Sequence, residues 1–348
     1  MDKVFTATLK GGISSDVYFS LSIDELNEKL KEYGNNVLYV FDSNTENILS
    51  YKPKNSIVLP PGESEKKWES IDLILKKAVE LSIARDSVFI AIGGGVICDM
   101  TAFAASIYMR GARVVLVPTT LLSMVDASVG GKTAIDYLGL KNFVGTFYPA
   151  EDILICLETL NTLSEKEYIS GLGEVVKHAF LSQDEALYEF MIENRNAILS
   201  RDLQVMSKMV ELSLLVKKYF IELDPEEKKG IRSFLNLGHT FGHALESISS
   251  YGVSHGEGVA WGMARAFDAS LKQGVLNKDY YDKAMALITS YPFDIGYRVP
   301  ESIAGSYLLA TKKDKKKSSG SVKFVLIEGQ GKPVLTTLSD DEITSFVL

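Results

Sequence analysis

The stretch Ser87-Val88-Phe89-Ile90-Ala91-Ile92-Gly93-Gly94-Gly95-Val96 decides the fold class. Residues 87–92 form a short apolar run typical of a buried strand, three glycines follow, and residues 96–109 have helical spacing. Glycines at a strand-to-helix turn let the backbone approach a pyrophosphate, and the helix N-terminus adds N–H donors. The stretch therefore predicts a nucleotide-binding βα unit, and a turn that serves tight packing alone is the alternative.

The flanking sequence extends this unit in both directions. Residues 37–41 and 114–117 form similar apolar runs, and residues 67–84 between the first two runs are helical in spacing. From about residue 165, long helical periods follow at 168–199, 203–223, 236–249 and 256–272, and a hairpin is expected at 323–327 and 333–336. We predict a Rossmann-like α/β nucleotide-binding domain with a parallel sheet over residues 1–160. A mostly α-helical domain, binding metal and substrate, is expected over residues 161–348.

Composition excludes several classes of protein. The 348 residues include 37 Lys+Arg and 45 Asp+Glu, and the formal net charge of −8 argues against general binding to nucleic acid or to an anionic membrane. No apolar run approaches the length of a membrane span, and the N-terminus lacks the apolar core of a signal peptide. Only two cysteines are present, which fits a reducing compartment, and we expect a cytoplasmic protein.

Polar residues follow two of the predicted strands at their carboxyl ends. Asp42-Ser43-Asn44 comes after the strand at 37–41, and Pro118-Thr119-Thr120 comes after the strand at 114–117. Ligands of open α/β sheets bind at this edge, so these side chains are candidates for contacts with a ribose or a base. The alternative is turn and N-cap chemistry, for which Asp, Asn and Thr are common.

The histidines are clustered in a chain that has only four of them. His239 and His243 are four residues apart and share a helix face, and His255 follows within seventeen residues of His239. Glu174 lies in another helical stretch, and two histidines with one glutamate form a known catalytic zinc set. The residues alone leave open whether the ligands are the three histidines or Glu174 with any two of them. The other alternative is that these residues serve capping and packing.

Several cations lie in loops rather than on charged helix faces. Arg110, Lys132 and Lys141 lie in glycine-rich or otherwise distinctive loops, and Arg232 and Asn236 directly precede the histidines. In an acidic protein, such a set favours a small substrate with several negative charges, such as a phosphate and a carboxylate. Each cation taken singly is compatible with an ordinary surface charge.

Taken together, these motifs resemble the 3-dehydroquinate synthases, within the wider family of sugar phosphate cyclases. The resemblance runs through nearly the whole chain. The motifs that carry it include Pro118-Thr119-Thr120-Leu121-Leu122, Asp126-Ala127-Ser128-Val129-Gly130-Gly131-Lys132-Thr133, Glu174-Val175-Val176-Lys177, Leu235-Asn236-Leu237-Gly238-His239-Thr240-Phe241-Gly242-His243 and His255-Gly256-Glu257-Gly258. Departures include Cys98 and Ala102, where the family often has glycine.

The resemblance implies a carbon–oxygen lyase of the shikimate pathway, which leads to chorismate and the aromatic amino acids. The implied reaction converts 3-deoxy-D-arabino-heptulosonate 7-phosphate to 3-dehydroquinate and phosphate. It proceeds by transient oxidation with NAD, β-elimination of phosphate, re-reduction and intramolecular aldol closure. The implied cofactors are NAD and Zn2+ or Co2+, the implied partner is a small anionic phosphorylated sugar acid, and the implied assembly is a homodimer.

The resemblance also implies roles for individual residues. Three are metal ligands: Glu174, His239 and His255. Nine contact the substrate or take part in catalysis, with Arg110 supplied by the neighbouring subunit: Arg110, Lys132, Asn142, Lys177, Lys218, Arg232, Asn236, His243 and Lys315. Seventeen contact the cofactor: Asp42, Asn44, Glu63, Lys66, Gly94, Gly95, Val96, Asp99, Thr119, Thr120, Leu122, Asp126, Lys132, Lys141, Thr162, Leu163 and Glu167.

Three other functions remain alternatives at this point. One is a sugar phosphate cyclase whose substrate has no carboxylate. Arg232 and Asn236, in place before the histidine motif, argue against it, since related cyclases with different substrates tend to vary there. Another is a metal-dependent polyol dehydrogenase of the same architecture, which would consume NAD stoichiometrically. The third is a nucleotide-binding regulatory module that has lost its chemistry.

Overall fold

The computed structural model of the chain describes residues 1–9, 12–249, 252–313 and 322–348. These residues form two compact units, one of Met1–Leu163 with Arg201–Leu214 and the other of Ser164–Ser200 with Leu215–Leu348. Within the described ranges, no helix is both long enough and apolar enough to cross a membrane.

The first unit is an α/β fold. Its elements are β1 (Asp2–Thr8), β2 (Ser14–Ser20), α1 (Ile23–Lys31), β3 (Val37–Asp42), β4 (Ser56–Leu59), α2 (Trp68–Glu80), β5 (Val88–Gly93), α3 (Gly95–Ile107), β6 (Arg113–Pro118), β7 (Lys132–Tyr137), β8 (Leu140–Phe147) and β9 (Asp152–Cys156). Seven strands form one sheet in the order β1-β2-β9-β6-β5-β3-β4, and β7 and β8 form a separate antiparallel hairpin. In the seven-stranded sheet β1 pairs antiparallel with β2, and the other described pairings are parallel.

The central strands explain why the sheet is parallel and buried. Every residue of β3 and β5 is buried, as expected for strands covered on both faces. From β3 the chain moves outward to β4, and from β5 it moves in the opposite direction to β6. Ligands of such sheets bind beside the carboxyl ends of the strands where this direction reverses. The strands predicted at 37–41, 87–92 and 114–117 are confirmed, and they place the glycine loop at this reversal.

The second unit is mostly helical. Its elements, with the helix that leads into it from the first unit, are α4 (Glu165–Leu181), α5 (Ala186–Glu193), α6 (Arg195–Leu199), α7 (Leu203–Leu223), α8 (His239–Ile248), α9 (His255–Lys272), α10 (Lys278–Ser290), α11 (Glu301–Lys313), β10 (Phe324–Ile327), β11 (Pro333–Thr336) and α12 (Asp340–Val347). The predicted hairpin is confirmed as the antiparallel pair β10–β11. The predicted fold class, a parallel α/β part followed by a mostly helical part, is also confirmed.

The single helical period predicted for residues 168–199 is wrong, because three separate helices, α4 to α6, occupy this range. Asp184 lies just before the second helix, and its Oδ1 accepts the N–H of Ala186 at 3.1 Å. Gln330, in the turn of the β10–β11 hairpin, donates its side-chain amide to the carbonyls of Ala179, Ser182 and Asp184 at 2.8, 2.8 and 2.9 Å. The first helix therefore ends against a residue distant in sequence, which local periodicity cannot reveal.

The helix predicted for residues 236–249 begins later than expected. A short 3-10 turn covers Arg232–Asn236, and α8 starts at His239. Between them, Gly238 has φ +80°, in the left-handed region that glycine adopts without strain. The chain therefore changes direction immediately before the first histidine of the cluster.

Candidate active site

Glycines let three helices of the second unit approach one another closely. A Cβ atom at Gly173 in α4 would lie 2.2 Å from the carbonyl oxygen of Gly256 in α9. A Cβ atom at Gly242 in α8 would lie 2.5 Å from the carbonyl oxygen of Gly258 in α9. No side chain fits at these crossings, so the backbones of α4, α8 and α9 are in direct contact. This packing brings together the side chains of residues next to the crossings.

The predicted metal ligands meet at this junction. Glu174 is completely buried, and its Oε1 lies 3.3 Å from Nε2 of His239 and 3.3 Å from Nε2 of His255. With metal–ligand bonds of about 2.0–2.1 Å, neighbouring corners of a tetrahedral site lie about 3.3 Å apart. Both measured edges therefore match the spacing of a zinc-like site with one position left for another ligand.

Hydrogen bonds at the other ring nitrogens orient both imidazoles. Nδ1 of His255 lies 3.1 Å from Oε1 of Glu246, and Nδ1 of His239 lies 3.3 Å from the carbonyl oxygen of Leu237. An N–H at each Nδ1 leaves the lone pair on Nε2, which is the tautomer that binds a metal ion. Oε1 of Glu174 is buried without a hydrogen-bond partner. When neither Nε2 carries a proton, three electron pairs point at one another, and this donor set fits a divalent cation.

The electrostatics of the junction agree with that interpretation. Burial lowers the pKa of His255, but the nearby carboxylates of Glu174 and Glu246 outweigh burial and raise that pKa to about 10. Burial raises the pKa of Glu174, but Lys177 and His239 outweigh it and hold that pKa well below its usual range. Lys177 is buried and its Nζ contacts Oε2 of Glu174. The carboxylate is therefore ionised, and a cation bound there would displace a proton from the imidazole.

His243 lies in the same cluster. Its ring centroid is 5.2 Å from that of His239 and 5.6 Å from that of His255, and the donor atoms of the three histidines all lie within 4.8 Å of one another. Two of the ligand sets left open by the sequence, the three histidines and Glu174 with His239 and His255, are thus each close together in space. The two 3.3 Å edges at Glu174 favour the set with the glutamate, and its assignment stays a prediction.

Three other predicted substrate residues of this unit lie in the 3-10 turn before α8 and on α7. Arg232 is buried in the 3-10 turn, Asn236 at the end of that turn is exposed, and Lys218 is on α7 with its Nζ 3.6 Å from Oε1 of Glu222. Lys315 lies outside the described residues, so its predicted contact with substrate stays untested.

In the first unit, three loops meet at the reversal point of the sheet. The N–H of Thr119 donates to the carbonyl oxygen of Gly93 at 2.9 Å, and Oγ1 of Thr45 donates to the carbonyl oxygen of Ile92 at 2.8 Å. A Cβ atom at Gly94 would lie 3.2 Å from Cγ2 of Thr120. The glycine loop is therefore held between the two polar loops that the sequence places at the same sheet edge.

Asp42 also makes the turn hydrogen bonds that were the alternative to a role in ligand binding. Its Oδ1 accepts the N–H groups of Asn44 and Thr45 at 2.9 and 3.0 Å. One carboxylate oxygen therefore stabilises the turn after β3. The predicted contact of Asp42 and Asn44 with a nucleotide stays a prediction.

A buried lysine links the glycine-loop helix to the β7–β8 hairpin. Nζ of Lys66 lies 2.6 Å from Oδ2 of Asp99 in α3 and 2.5 Å from Oδ1 of Asn142 in β8. Burial lowers the pKa of Lys66, but Asp99 and Glu63 outweigh it and raise that pKa. The hairpin is also tied to this point by the N–H of Asp136, which donates to the carbonyl oxygen of Lys66 at 2.7 Å. Residues predicted to bind cofactor and substrate are thus in contact.

Five further predicted residues of the first unit are on the hairpin, in 3-10 turns or directly after one. Lys132 and Lys141 are exposed on β7 and β8, and Arg110 is exposed with φ +67°. The segment containing Thr162 and Leu163 is held by Arg201, which sequence analysis did not identify. Nη1 of Arg201 donates to the carbonyls of Leu160 and Leu163 at 2.9 and 2.7 Å. No motif around Arg201 indicates this contact, because its partners lie about forty residues earlier.

Of the remaining predicted cofactor residues, Glu63 lies in a 3-10 turn after β4, Val96 begins α3 with Gly95, and Leu122 with Asp126 lies in the helical turn after Thr120. Glu167 lies in the first turn of α4, in the second unit. Their contacts with a nucleotide stay predictions.

Comparison with known proteins identifies relatives over most of the chain. The family model described as 3-dehydroquinate synthase N-terminal matches residues 56–170, and the one described as 3-dehydroquinate synthase C-terminal matches residues 171–317. A 3-dehydroquinate synthase of Francisella tularensis subsp. tularensis (strain WY96-3418) is 42% identical over 293 residues, which cover 83% of this chain and 80% of that protein.

Solved structures of related enzymes share the fold. A 2-deoxy-scyllo-inosose synthase, complexed with carbaglucose-6-phosphate, NAD+ and Co2+, aligns with a TM-score of 0.86 at 21% identity over 99% of this chain and 98% of that chain. The 2-epi-5-epi-valiolone synthase of Streptomyces hygroscopicus subsp. jinggangensis 5008, with NAD+ and Zn2+ bound, aligns with a TM-score of 0.84 at 22% identity over 96% of both chains. The two family matches together span more than half of the sequence. The chain therefore belongs to the 3-dehydroquinate synthase family.

Proposed function

We propose that this protein is a 3-dehydroquinate synthase, a lyase that converts 3-deoxy-D-arabino-heptulosonate 7-phosphate to 3-dehydroquinate and phosphate. The observation that carries the proposal is the convergence of Glu174, His239 and His255 in a chain of this family. Family membership supports the overall reaction, and the junction supplies the donor set that its metal requires.

The cofactors we propose are NAD and a divalent cation, Zn2+ or Co2+. Both structural relatives bind NAD+ together with one of these ions. We assign NAD to the loops at residues 42–45, 93–96 and 119–122, within residues 1–160, and the cation to Glu174, His239 and His255, within residues 161–348. When bound, NAD supplies reversible hydride acceptance and the cation supplies a positive charge that acidifies a hydroxyl.

The chain's own residues bind and orient an anionic substrate in this proposal. Arg232 binds the carboxylate, since a guanidinium offers two parallel N–H donors. Lys132 and Asn142 of the hairpin contact the phosphate and the polyol. Lys177 keeps Glu174 ionised and supplies a buried ammonium beside the metal ligands. His243, in van der Waals range of the ligand histidines, is left for proton transfer with the substrate.

We further propose that the active enzyme is a cytoplasmic homodimer in which Arg110 reaches the neighbouring subunit. Thr146 of β8 donates its hydroxyl to that of Ser106 in α3 at 3.1 Å, so the hairpin and the end of α3 form one surface. Large apolar side chains are exposed on it: Ile107, Met109, Leu138, Phe143 and Phe147. Such a patch beside Arg110 is suited to a second copy of the chain. Two free, buried cysteines fit a reducing compartment.

A phosphate-release assay with the heptulosonate phosphate, run with and without a chelator, tests the proposed function. We expect phosphate release that requires NAD and metal, with no lasting rise in the absorbance of reduced nicotinamide. Stoichiometric accumulation of NADH would instead identify a polyol dehydrogenase. Turnover of a sugar phosphate that lacks the carboxylate, without turnover of the heptulosonate, would identify a different cyclase.

A further inference from the structure

A buried carboxylate directly after α7 organises the loop that leads to Arg232. Asp224 is 2% exposed. Its Oδ1 accepts the N–H groups of Lys228 and Lys229 at 2.9 and 3.0 Å, and its Oδ2 accepts those of Ile231 and Arg232 at 3.0 and 3.3 Å. Four main-chain donors within nine residues therefore converge on one side chain.

The same loop holds the side chain of Arg232. Its Nη1 donates to the carbonyl oxygen of Pro225 at 3.1 Å, and Pro225 directly follows Asp224. The loop turns back through Gly230, whose φ is +78°. Both the main-chain N–H and the guanidinium of Arg232 thus rest on a loop whose shape depends on Asp224.

The chemistry of Asp224 explains why an ionised group can be buried here. Removing a carboxylate from water costs free energy unless donors replace the lost hydration. Burial raises the pKa of Asp224, but the main-chain N–H groups of Lys229, Arg232, Lys228 and Ile231 outweigh it and lower that pKa. The carboxylate therefore stays charged at neutral pH and accepts hydrogen bonds from all four N–H groups.

We propose that Asp224 is the positioning residue for recognition of the substrate carboxylate, acting through Arg232. This inference rests on the proposed function, in which Arg232 binds that carboxylate. Asp224 is too buried to contact substrate itself, so its effect is on where the guanidinium lies. It thereby contributes to the preference for a sugar acid over a sugar phosphate that has no acid group.

The hydrogen-bond pattern dictates the choice of variants. Asp224→Asn keeps the size of the side chain, but its amide NH2 would face two N–H donors, so half of the bonds are lost and replaced by repulsion. Asp224→Glu keeps both acceptor oxygens on a longer side chain and serves as the conservative rescue. Asp202→Ala is the matched control, because Asp202 accepts two N–H groups, those of Gln204 and Val205, at the other end of the same helix.

Steady-state kinetics of phosphate release separate positioning from general stability. For Asp224→Asn we expect KM for the heptulosonate phosphate to rise about tenfold or more while kcat stays within about threefold, the pattern of lost uniform binding. Asp224→Glu should recover part of the KM. Asp202→Ala should lower the melting temperature with KM unchanged. An unchanged KM in Asp224→Asn would overturn the proposal.

A double variant tests whether Asp224 acts through Arg232. If it does, Asp224→Asn combined with Arg232→Lys should bind substrate no worse than Arg232→Lys alone, because the guanidinium to be positioned is absent. If the losses of substrate binding in the two single variants multiply in the double variant, the positioning role is overturned. Absence of phosphate release by the wild-type enzyme would reject the proposed function itself, so the two failures are distinguishable.

Discussion

The metal junction and the nucleotide loops achieve their geometry by different means. At the junction, Gly173 and Gly242 bring helix backbones into contact, and the three predicted ligands point inward from those helices. In the nucleotide region, loops are held by hydrogen bonds such as that from Thr119 to Gly93, and the hairpin cations are exposed. The junction is thus built into rigid packing, whereas the loops leave surface for a ligand to cover. A substitution should therefore have its largest effect at the junction.

Loss of a predicted metal ligand is the strongest test of the junction. His255→Ala should remove both bound metal and turnover, because only two of the three protein ligands that a catalytic zinc site uses would remain. Elemental analysis and the phosphate-release assay would measure the two effects, and circular dichroism would check that the helices remain. Metal content near that of the wild type would remove His255 from the ligand set.

The matched variant His243→Ala decides between the two ligand sets that lie close together. We expect it to retain metal and to lose turnover, since His243 is assigned to the substrate. If it loses metal while Glu174→Gln keeps it, the three histidines form the site and the assignment of Glu174 is wrong.

The sequence predicts the helices and strands of both regions better than the contacts between their side chains. Residues 37–41 and 87–92 are apolar runs and residues 203–223 have helical spacing, and the structure confirms two strands and a helix there. The β7–β8 hairpin was missed, because its exposed lysines in glycine-rich sequence indicated loops. Contacts of Lys66 with Asn142 and of Glu246 with His255 were missed too, since no local pattern reports which distant side chains meet.

In the candidate site, too, local patterns were predictable from the sequence and contacts between distant residues were not. Clustered histidines point to a metal from residue type and spacing alone, but several ligand sets remained possible without coordinates. Asp224 carried no catalytic pattern, because its partners are main-chain N–H groups that every residue has. The division at residue 160 stays a prediction, as do the individual contacts with NAD and substrate.

A single methyl group tests how strongly the junction depends on helix contact. In Gly173→Ala the new Cβ would meet the carbonyl oxygen of Gly256 at 2.2 Å, and backbone cannot move aside as a flexible side chain can. We expect a loss of about 2–4 kcal/mol in the free energy of unfolding, together with weaker metal binding. Chemical denaturation and chelator competition would measure the two quantities.

Gly305→Ala is the control for that experiment, since a Cβ at this helical position meets nothing within 4 Å. Alanine there should stabilise the protein by about 0.5–1 kcal/mol through helix propensity. Equal stability changes in the two variants would show that helix contact at Gly173 is not what constrains the junction.

The smallest expected effect tests whether the loops of the first unit act independently of the junction. Lys66→Met removes the charge that compensates Asp99 and the donor that holds Asn142. An uncompensated, partly buried carboxylate disfavours the present loop geometry, so we expect NAD to bind about tenfold more weakly, or about 1.4 kcal/mol, by titration calorimetry.

Lys67→Met is the control, because that neighbouring lysine is more exposed and pairs with Glu65 at 3.2 Å. Metal content should stay at the wild-type level in both variants, because Asp99, Asn142 and Asp136, the hydrogen-bond partners described for Lys66, all belong to the first unit. A parallel loss of metal in Lys66→Met would mean that the two regions are coupled, and the contrast between packed junction and open loops would no longer hold.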